Sequence, residues 1–223
     1  MRIAGFVKNS FVDYPQQIAS VIFTNGCNYN CSYCHNHKLI DGKAGSIDEE
    51  TCFQFLKQRI GKIDGVVITG GEPTIQSDLK EFIKKIKALG FLVKLDTNGS
   101  NPQVIEELLK DKLLDFVAMD IKAPKEKLKI VACAEEFFEK IEKSIQIIIT
   151  SGVSHEFRTT VVPSLNLEDI SSIVKMIKGA KSYALQKFNP VPGLNCAPYS
   201  KSFFEEALKI AQQIVPNSFL RGF

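Results

Sequence analysis

Three of the six cysteines stand within eight positions of the stretch TNGCNYNCSYCHNHK, residues 24–38, as Cys27, Cys31 and Cys34, with His35 and His37 directly behind them. Thiols at this density point to a metal or to redox chemistry. A four-iron cluster normally takes four cysteine thiolates, one per iron. This stretch supplies three, and Cys52, Cys133 and Cys196 are scattered over the rest of the chain. A cluster held by three thiolates keeps one iron open for a small-molecule ligand, much as a catalytic zinc keeps one position open for water. The other reading is a structural zinc site made of the three thiols with His35 or His37. Zinc sites usually combine paired short spacings, whereas this C-x3-C-x2-C triplet has no second pair. The spacing favours the cluster and leaves zinc open.

A second group of unusual residues follows. Gly70-Gly71-Glu72-Pro73 closes the apolar run DGVVITGGEP. Glycines let backbone approach a ligand closely, and a carboxylate suits an ammonium. DTNG (96–99), DIKAP (120–124) and NPVPG (189–193) end later apolar runs in the same way.

The elements that must carry these groups alternate along the chain. IASVIFTNG, DGVVITGGEP, FLVKLDTNGS, LDFVAMDIKAP, HEFRTTVV and YALQKFNP read as six strands. Between them, apolar residues recur at helical spacing: Leu79, Phe82, Ile83 and Ile86, with Gly90 as the helix stop; Ile105, Leu108 and Leu109 after the Asn101-Pro102 start; Phe137, Phe138, Ile141, Ile145 and Ile148; Ile170, Ile173, Val174 and Ile177. Ser46 and Glu49 have the spacing of a capping box for the helix over SIDEETCFQFLKQRI, and SFFEEALKIAQQIV reads as the last helix. Six strand-then-helix units predict an α/β fold with a parallel sheet, too few to close an eight-stranded barrel, hence a partial (β/α)6 barrel. The cysteine loop and the four motifs all follow the C-terminal ends of strands, the face on which parallel α/β folds place their chemistry.

Composition sets the outer limits. At 223 residues with 44% apolar side chains, the chain can bury a substantial core. No linker-like composition shift divides it, so residues 1–223 are expected to form one domain, with a strand segment over 1–18 packed on the barrel. Charges of 28 basic against 25 acidic residues are spread evenly, which argues against nucleic acid as a partner. EFIKKIKALG and APKEKLKI read as solvated charged faces. No apolar run is long enough for a membrane span and MRIAGFVKNS lacks a signal-peptide core, so a cytoplasmic location is expected. Cys52 shares an apolar helix face with Leu56 and reads as core. No P-loop motif occurs, which disfavours nucleotide hydrolysis.

The triplet, with Tyr33 before its last cysteine and Gly70-Gly71-Glu72-Pro73 one strand later, resembles the radical S-adenosylmethionine (radical SAM) superfamily. That resemblance implies a [4Fe-4S] cluster on Cys27, Cys31 and Cys34, with the amino and carboxylate groups of S-adenosylmethionine on the open iron. It also implies that Gly70, Gly71 and Glu72 receive the methionine amino group. GFVKNSFVDYP, GCNYNCSYCHN, GVVITGGEP, KLDTNG, AMDIKAP and EFRTTVVP together resemble the activating proteins of glycyl-radical enzymes, and within them the activators of anaerobic ribonucleoside-triphosphate reductase. Pyruvate formate-lyase activators share the CHN after the third cysteine. By that likeness Tyr33, Asp96, Thr97, Asp120 and Lys122 line the site, Arg158 pairs with the carboxylate of S-adenosylmethionine, and His35 and Asn36 support the cluster. Asp96 and Asn98 could instead shape a turn with Gly99, and Arg158 could be a wall residue satisfied by a carboxylate.

The activity implied is reductive cleavage of S-adenosylmethionine to a 5′-deoxyadenosyl radical that takes hydrogen from a glycine of a partner enzyme, with flavodoxin or ferredoxin as electron donor. A radical SAM enzyme acting on a small molecule or RNA is the second reading, and a non-catalytic zinc or electron-transfer protein the third. The chain departs from many activators in carrying Gln16-Gln17 where they have glycine after DYP. About three dozen residues separate Cys34 from Gly70 and contain one cysteine, which leaves no room there for a ferredoxin-like insert with further clusters.

Overall fold

The structure is a computed structural model that describes residues 1–192, 194 and 196–223; Gly193, the last residue of NPVPG, lies outside the described residues. Its strands are β1 (Ile3–Ser10), β2 (Ala19–Thr24), β3 (Gly65–Gly70), β4 (Leu92–Thr97), β5 (Phe116–Asp120), β6 (Ser154–Val161), β7 (Tyr183–Lys187) and β8 (Ser218–Arg221). Its α-helices are α1 (Glu49–Lys57), α2 (Leu79–Ala88), α3 (Pro102–Lys110), α4 (Lys125–Ala132), α5 (Phe138–Thr150), α6 (Leu167–Met176) and α7 (Lys201–Gln212). Hydrogen-bonded strand neighbours follow chain order within β1 to β4 and within β6 to β8. β1 is antiparallel to β2, and the pairs β2–β3, β3–β4, β6–β7 and β7–β8 are parallel. The six anticipated strands are β2 to β7, so the α/β class and the mostly parallel sheet are as expected.

The chain divides into two compact units. The first comprises Met1–Asn28, Asn36–Thr97 and Gln103–Val117. Its strand β3 is buried on both faces, with Val66, Val67 and Ile68 all essentially inaccessible, so it carries a continuous apolar run rather than an alternating one. On one face Val67 packs with Tyr14, Ala19 and Val21, and Phe23, Leu92 and Phe116 close around them. Strand alternation puts Thr69, Lys94 and Asp96 on this same face, nearer the strand ends. α2 buries the anticipated stripe of Leu79, Phe82, Ile83 and Ile86, and Phe82 meets Phe53 of α1 edge-on at 5.2 Å between ring centroids. Gly90 stops α2 with φ +87°, its N–H bonded to the Lys87 carbonyl.

The capping box at Ser46 does not form. α1 starts at Glu49 after Asp48, and no side-chain capping bond is made. Two cations claim the glutamate: Glu49 lies 3.0 Å from the chain's N-terminal ammonium and 2.7 Å from Lys85 Nζ. The turn before β2 also explains the Gln16-Gln17 departure. Gln16 has φ +62°, a left-handed conformation in which glycine pays no steric cost, while Gln17 N–H closes the turn on the Tyr14 carbonyl.

The second unit comprises Tyr29–His35, Asn98–Pro102 and Ala118–Phe223. Asn166 and Asp169 form a reciprocal capping box at the start of α6, and Ser200 caps α7 through the Phe203 N–H. Two elements here were not anticipated. APKEKLKI is not all solvated surface, because it forms α4 with Leu128, Val131 and Ala132 buried. β8 is only four residues long and has one fully buried position, too little for a period-two signal. What holds it is specific: Arg221 forks both carboxylate oxygens of Glu156 at 2.8 Å and bonds Gln186 at 3.2 Å. Gln186 lies across the ladder from Thr160 on one side and Arg221 on the other.

Two stability measurements test this reading. In the Glu156–Arg221 pair the arginine side chain is 40% exposed and the glutamate 6%. Arg221→Ala strands a buried carboxylate and is expected to cost about 3 kcal/mol, whereas Glu156→Gln leaves a solvated arginine and should cost about 1 kcal/mol. Urea melts should rank the variants in that order with unchanged m values. Gln16→Gly relieves a left-handed side chain and is expected to raise stability by up to about 1 kcal/mol, a gain that the same melts would read directly.

Candidate functional site

Within the first unit the strand ends are joined by close backbone contact. Gly70 has φ +113°, and a Cβ on it would stand 2.4 Å from the Thr24 nitrogen. A Cβ on Gly71 would fall 1.9 Å from the Gly26 carbonyl oxygen. Gly71 N–H donates to the Thr24 carbonyl at 3.0 Å, and Glu72 N–H to the Gly26 carbonyl at 2.8 Å. The two glycines are therefore required by the approach of β3 to the segment that enters the cysteine loop, a role that the sequence reading gave to ligand contact alone. Beyond that segment, Gly26 N–H and Cys27 N–H bond the Leu39 and Ile40 carbonyls.

Glu72 is buried and held by its Oε1 atom. Thr74 donates from its backbone N–H at 3.1 Å and its hydroxyl at 2.6 Å, and Thr97 donates its hydroxyl at 2.7 Å. Asp96 accepts from the Thr69 hydroxyl at 3.2 Å and pairs with Lys94 Nζ. Of the residues named from the sequence, the first unit thus brings together Gly70, Gly71, Glu72, Asp96 and Thr97. Lys94, Thr69 and Thr74 were missed. Lys94 had a legible signal: it stands two residues before Asp96 on a strand whose other interior positions are apolar, so both must face the same way.

In the second unit Asp120 and Lys122 leave the end of β5 on one face, and Arg158 meets them from β6. Arg158 donates Nε and Nη2 to the two Asp120 oxygens at 2.8 and 3.2 Å, and Lys122 Nζ donates to Asp120 Oδ2 at 3.1 Å. Backbone bonds set this register: Ile121 N–H donates to the Arg158 carbonyl at 2.8 Å, and the Thr159 hydroxyl to the Ile121 carbonyl at 2.9 Å. Burial alone would raise the Asp120 carboxyl, but the charges and hydrogen bonds of Arg158 and Lys122 outweigh it and hold Asp120 well below the usual carboxylate range. Burial likewise opposes the charge on Lys122, yet Asp120, Tyr33 and Cys31 keep its ammonium above the ordinary lysine value.

Tyr33 and Cys31 are close enough to this group to feel it. Both are buried, and burial raises the Tyr33 hydroxyl and the Cys31 thiol, with Lys122 opposing the rise in each. Cys34 N–H closes a turn on the Cys31 carbonyl at 3.1 Å. His35, Asn36 and His37 are exposed. Gly99 turns the chain after β4 with φ +78°, with the Asn98 side chain accepting from Ser100 N–H at 2.9 Å, so Asn98 and Gly99 do shape a turn. Cys52 is inaccessible in α1, its thiol pushed up to about 11 by burial and by Asp48 and Glu49, in keeping with core packing.

Cys27, Cys31 and Cys34 are thiols. Among the described residues, no three His, Cys, Asp or Glu side chains converge tightly enough to hold a single metal ion. A cluster makes a different demand, because each thiolate binds its own iron. Three thiols within one eight-residue span fit that demand.

A family model described as the radical SAM superfamily matches residues 21–177, and the chain belongs to that superfamily. It is an enzyme whose cofactors are those of the family, a [4Fe-4S] cluster and S-adenosylmethionine. Among its relatives, a Methanocaldococcus jannaschii protein that carries the provisional name glycyl-radical enzyme activating enzyme is 44% identical over 84% of this chain and 80% of its own length. The pyruvate formate-lyase-activating enzyme of Clostridium pasteurianum is 30% identical over 87% of this chain and 84% of its own. A solved radical SAM methyltransferase from Sphaerobacter thermophilus matches with a TM-score of 0.76 at 15% identity, covering 96% of this chain and 68% of the methyltransferase, which shows the shared fold.

Acid should test the Asp120 group. Its carboxyl is depressed in the folded chain, so its contribution to stability is complete above the unfolded value of about 4 and is lost as pH falls through that value and below. Asp120→Asn is expected to cost about 3 kcal/mol at pH 7 by leaving Arg158 and Lys122 without their shared anion. The gap to the unaltered chain should narrow below pH 4 in thermal melts, and a gap independent of pH would contradict this electrostatic account.

Proposed function

We propose that the chain activates a glycyl-radical enzyme, with Cys27, Cys31 and Cys34 as the ligands of its single cluster. The observation that carries this reading is the thiol triplet itself, three thiols of one loop following β2, with no fourth cysteine in that loop. When bound, the cluster and S-adenosylmethionine supply a 5′-deoxyadenosyl radical able to take hydrogen from a glycine α-carbon. The chain's own residues bind and orient. Glu72, anchored through Oε1 by Thr74 and Thr97, offers a fixed carboxylate for the methionine ammonium. Asp96, held by Lys94 and Thr69, offers a fixed carboxylate near the sulfonium of S-adenosylmethionine. Tyr33 supplies a buried aromatic wall beside Cys31 and Cys34. Asp120 and Lys122 present a compensated charge pair at the end of β5, and Arg158 both neutralises Asp120 and offers guanidinium donors to a carboxylate.

Similarity over most of the chain to two activating enzymes supports a protein partner. The motif likeness favours anaerobic ribonucleoside-triphosphate reductase, and pyruvate formate-lyase is the second candidate on the strength of the Clostridium relative. Flavodoxin or ferredoxin is the proposed electron donor, and the protein works as one domain. Its place is the cytoplasm, where thiols stay reduced; no described helix is long and apolar enough to cross a membrane.

The decisive experiment is anaerobic reconstitution with iron and sulfide, reduction with dithionite, and assay of 5′-deoxyadenosine released from S-adenosylmethionine. Release is expected from the unaltered chain and its loss, by about 100-fold or more, from Cys31→Ala, because the metal centre is removed. A glycyl-radical signal by electron paramagnetic resonance on reductase but not on lyase would then fix the partner. Zinc bound by the same thiols, with no cleavage, would sink the proposal.

A further inference from the structure

Cys133 lies outside the triplet, and the activity does not explain its neighbourhood. It ends α4 as a C-cap with φ +49° and ψ +48°, a left-handed position normally given to glycine or asparagine. It is exposed, while Cys31 is buried. The residues just before the two thiols are hydrogen-bonded to each other: Asn30 N–H donates to the Ala132 carbonyl at 3.2 Å. The Tyr29 and Phe137 rings, 5.4 Å apart, brace the same two segments.

We propose that Cys133 is a redox partner of Cys31: in the cluster-free chain the two thiols close a disulfide, which withdraws Cys31 from the cluster-binding set until the bond is reduced. The oxidant is a small disulfide such as oxidised glutathione. The exposed Cys133 thiolate attacks it, forming a mixed disulfide and releasing one glutathione thiol. Cys31 thiolate then attacks the Cys133 sulfur and releases the second. Two cysteine thiols lose two electrons, the oxidant gains them, and the two cysteine protons end on the two glutathiones. With the cluster in place Cys31 is occupied, and only the first step proceeds. The bond itself rests on the geometry above; its effect on cluster loading rests on the proposed role of Cys31.

The test treats the full-length cluster-free chain with oxidised glutathione under nitrogen, blocks remaining thiols with N-ethylmaleimide, and maps tryptic peptides by mass spectrometry. A cross-link between peptides 9–38 and 130–140 is expected, absent in Cys31→Ser, retained in Cys27→Ser and Cys34→Ser, and absent from the cluster-loaded protein. A Cys133 that is only glutathionylated, or a cross-link that survives Cys31→Ser, overturns the proposal. Iron uptake after the same oxidation should fall at least fivefold in the unaltered chain, recover with dithiothreitol, and be spared in Cys133→Ser. An equal fall in Cys133→Ser would also overturn it, by showing that bridges within the triplet are what block loading. None of these readouts uses S-adenosylmethionine, so the absence of radical chemistry would leave the disulfide map standing.

Discussion

The first unit is organised by one steric constraint, the contact of Gly70 and Gly71 with the backbone of Thr24 and Gly26. No side chain fits at Gly71, where a Cβ would fall inside the contact radius of a carbonyl oxygen. Because the space is absent, the chain can make two short backbone bonds there, Gly71 N–H to Thr24 and Glu72 N–H to Gly26. Those bonds fix where β2 gives way to the cysteine loop and where Glu72 projects. Cys27, at the start of that loop, and the Glu72 carboxylate thus share a common anchor.

Charge is handled by pairing within each unit. Lys94 with Asp96 in the first, and Arg158 and Lys122 with Asp120 in the second, place buried or half-buried ions on sheet faces without leaving either sign alone. Burying an ion costs several kcal/mol unless a partner with good geometry offsets it, so these groups hold their orientation before any ligand arrives. The Glu156–Arg221 fork obeys the same rule for a structural end, tying a four-residue strand to the sheet.

The cysteines divide by environment rather than by spacing alone. Cys52 is a core residue whose burial keeps it protonated and inert. Cys31 is buried beside a lysine, a setting that opposes the burial penalty on a thiolate. Cys133 is exposed on a left-handed helix cap next to the same loop. Three thiols of one chain therefore meet three chemistries, and the difference between them is solvent access and neighbouring charge.

Much was legible in the sequence because it depends on local period and on residue type. Six strands, the helix stripe of α2, the stop at Gly90 and the start at Pro102 follow from periodicity, from glycine's freedom and from proline's fixed φ. The triplet and Gly-Gly-Glu-Pro were legible as chemistry because few residue types can ligate iron or let a backbone pass so close. Tertiary structure decided the rest. Glu49 was drawn from a capping box to the N-terminal ammonium and Lys85, a competition between partners 36 and 48 residues away. β8 and α4 exist through an arginine fork and a buried apolar edge that no short window reveals. The partners of Asp96, Asp120 and Cys31 were likewise set by strand register and by chain segments distant in sequence, because electrostatic pairing and burial act through space, whereas a sequence pattern reports only what lies along the chain.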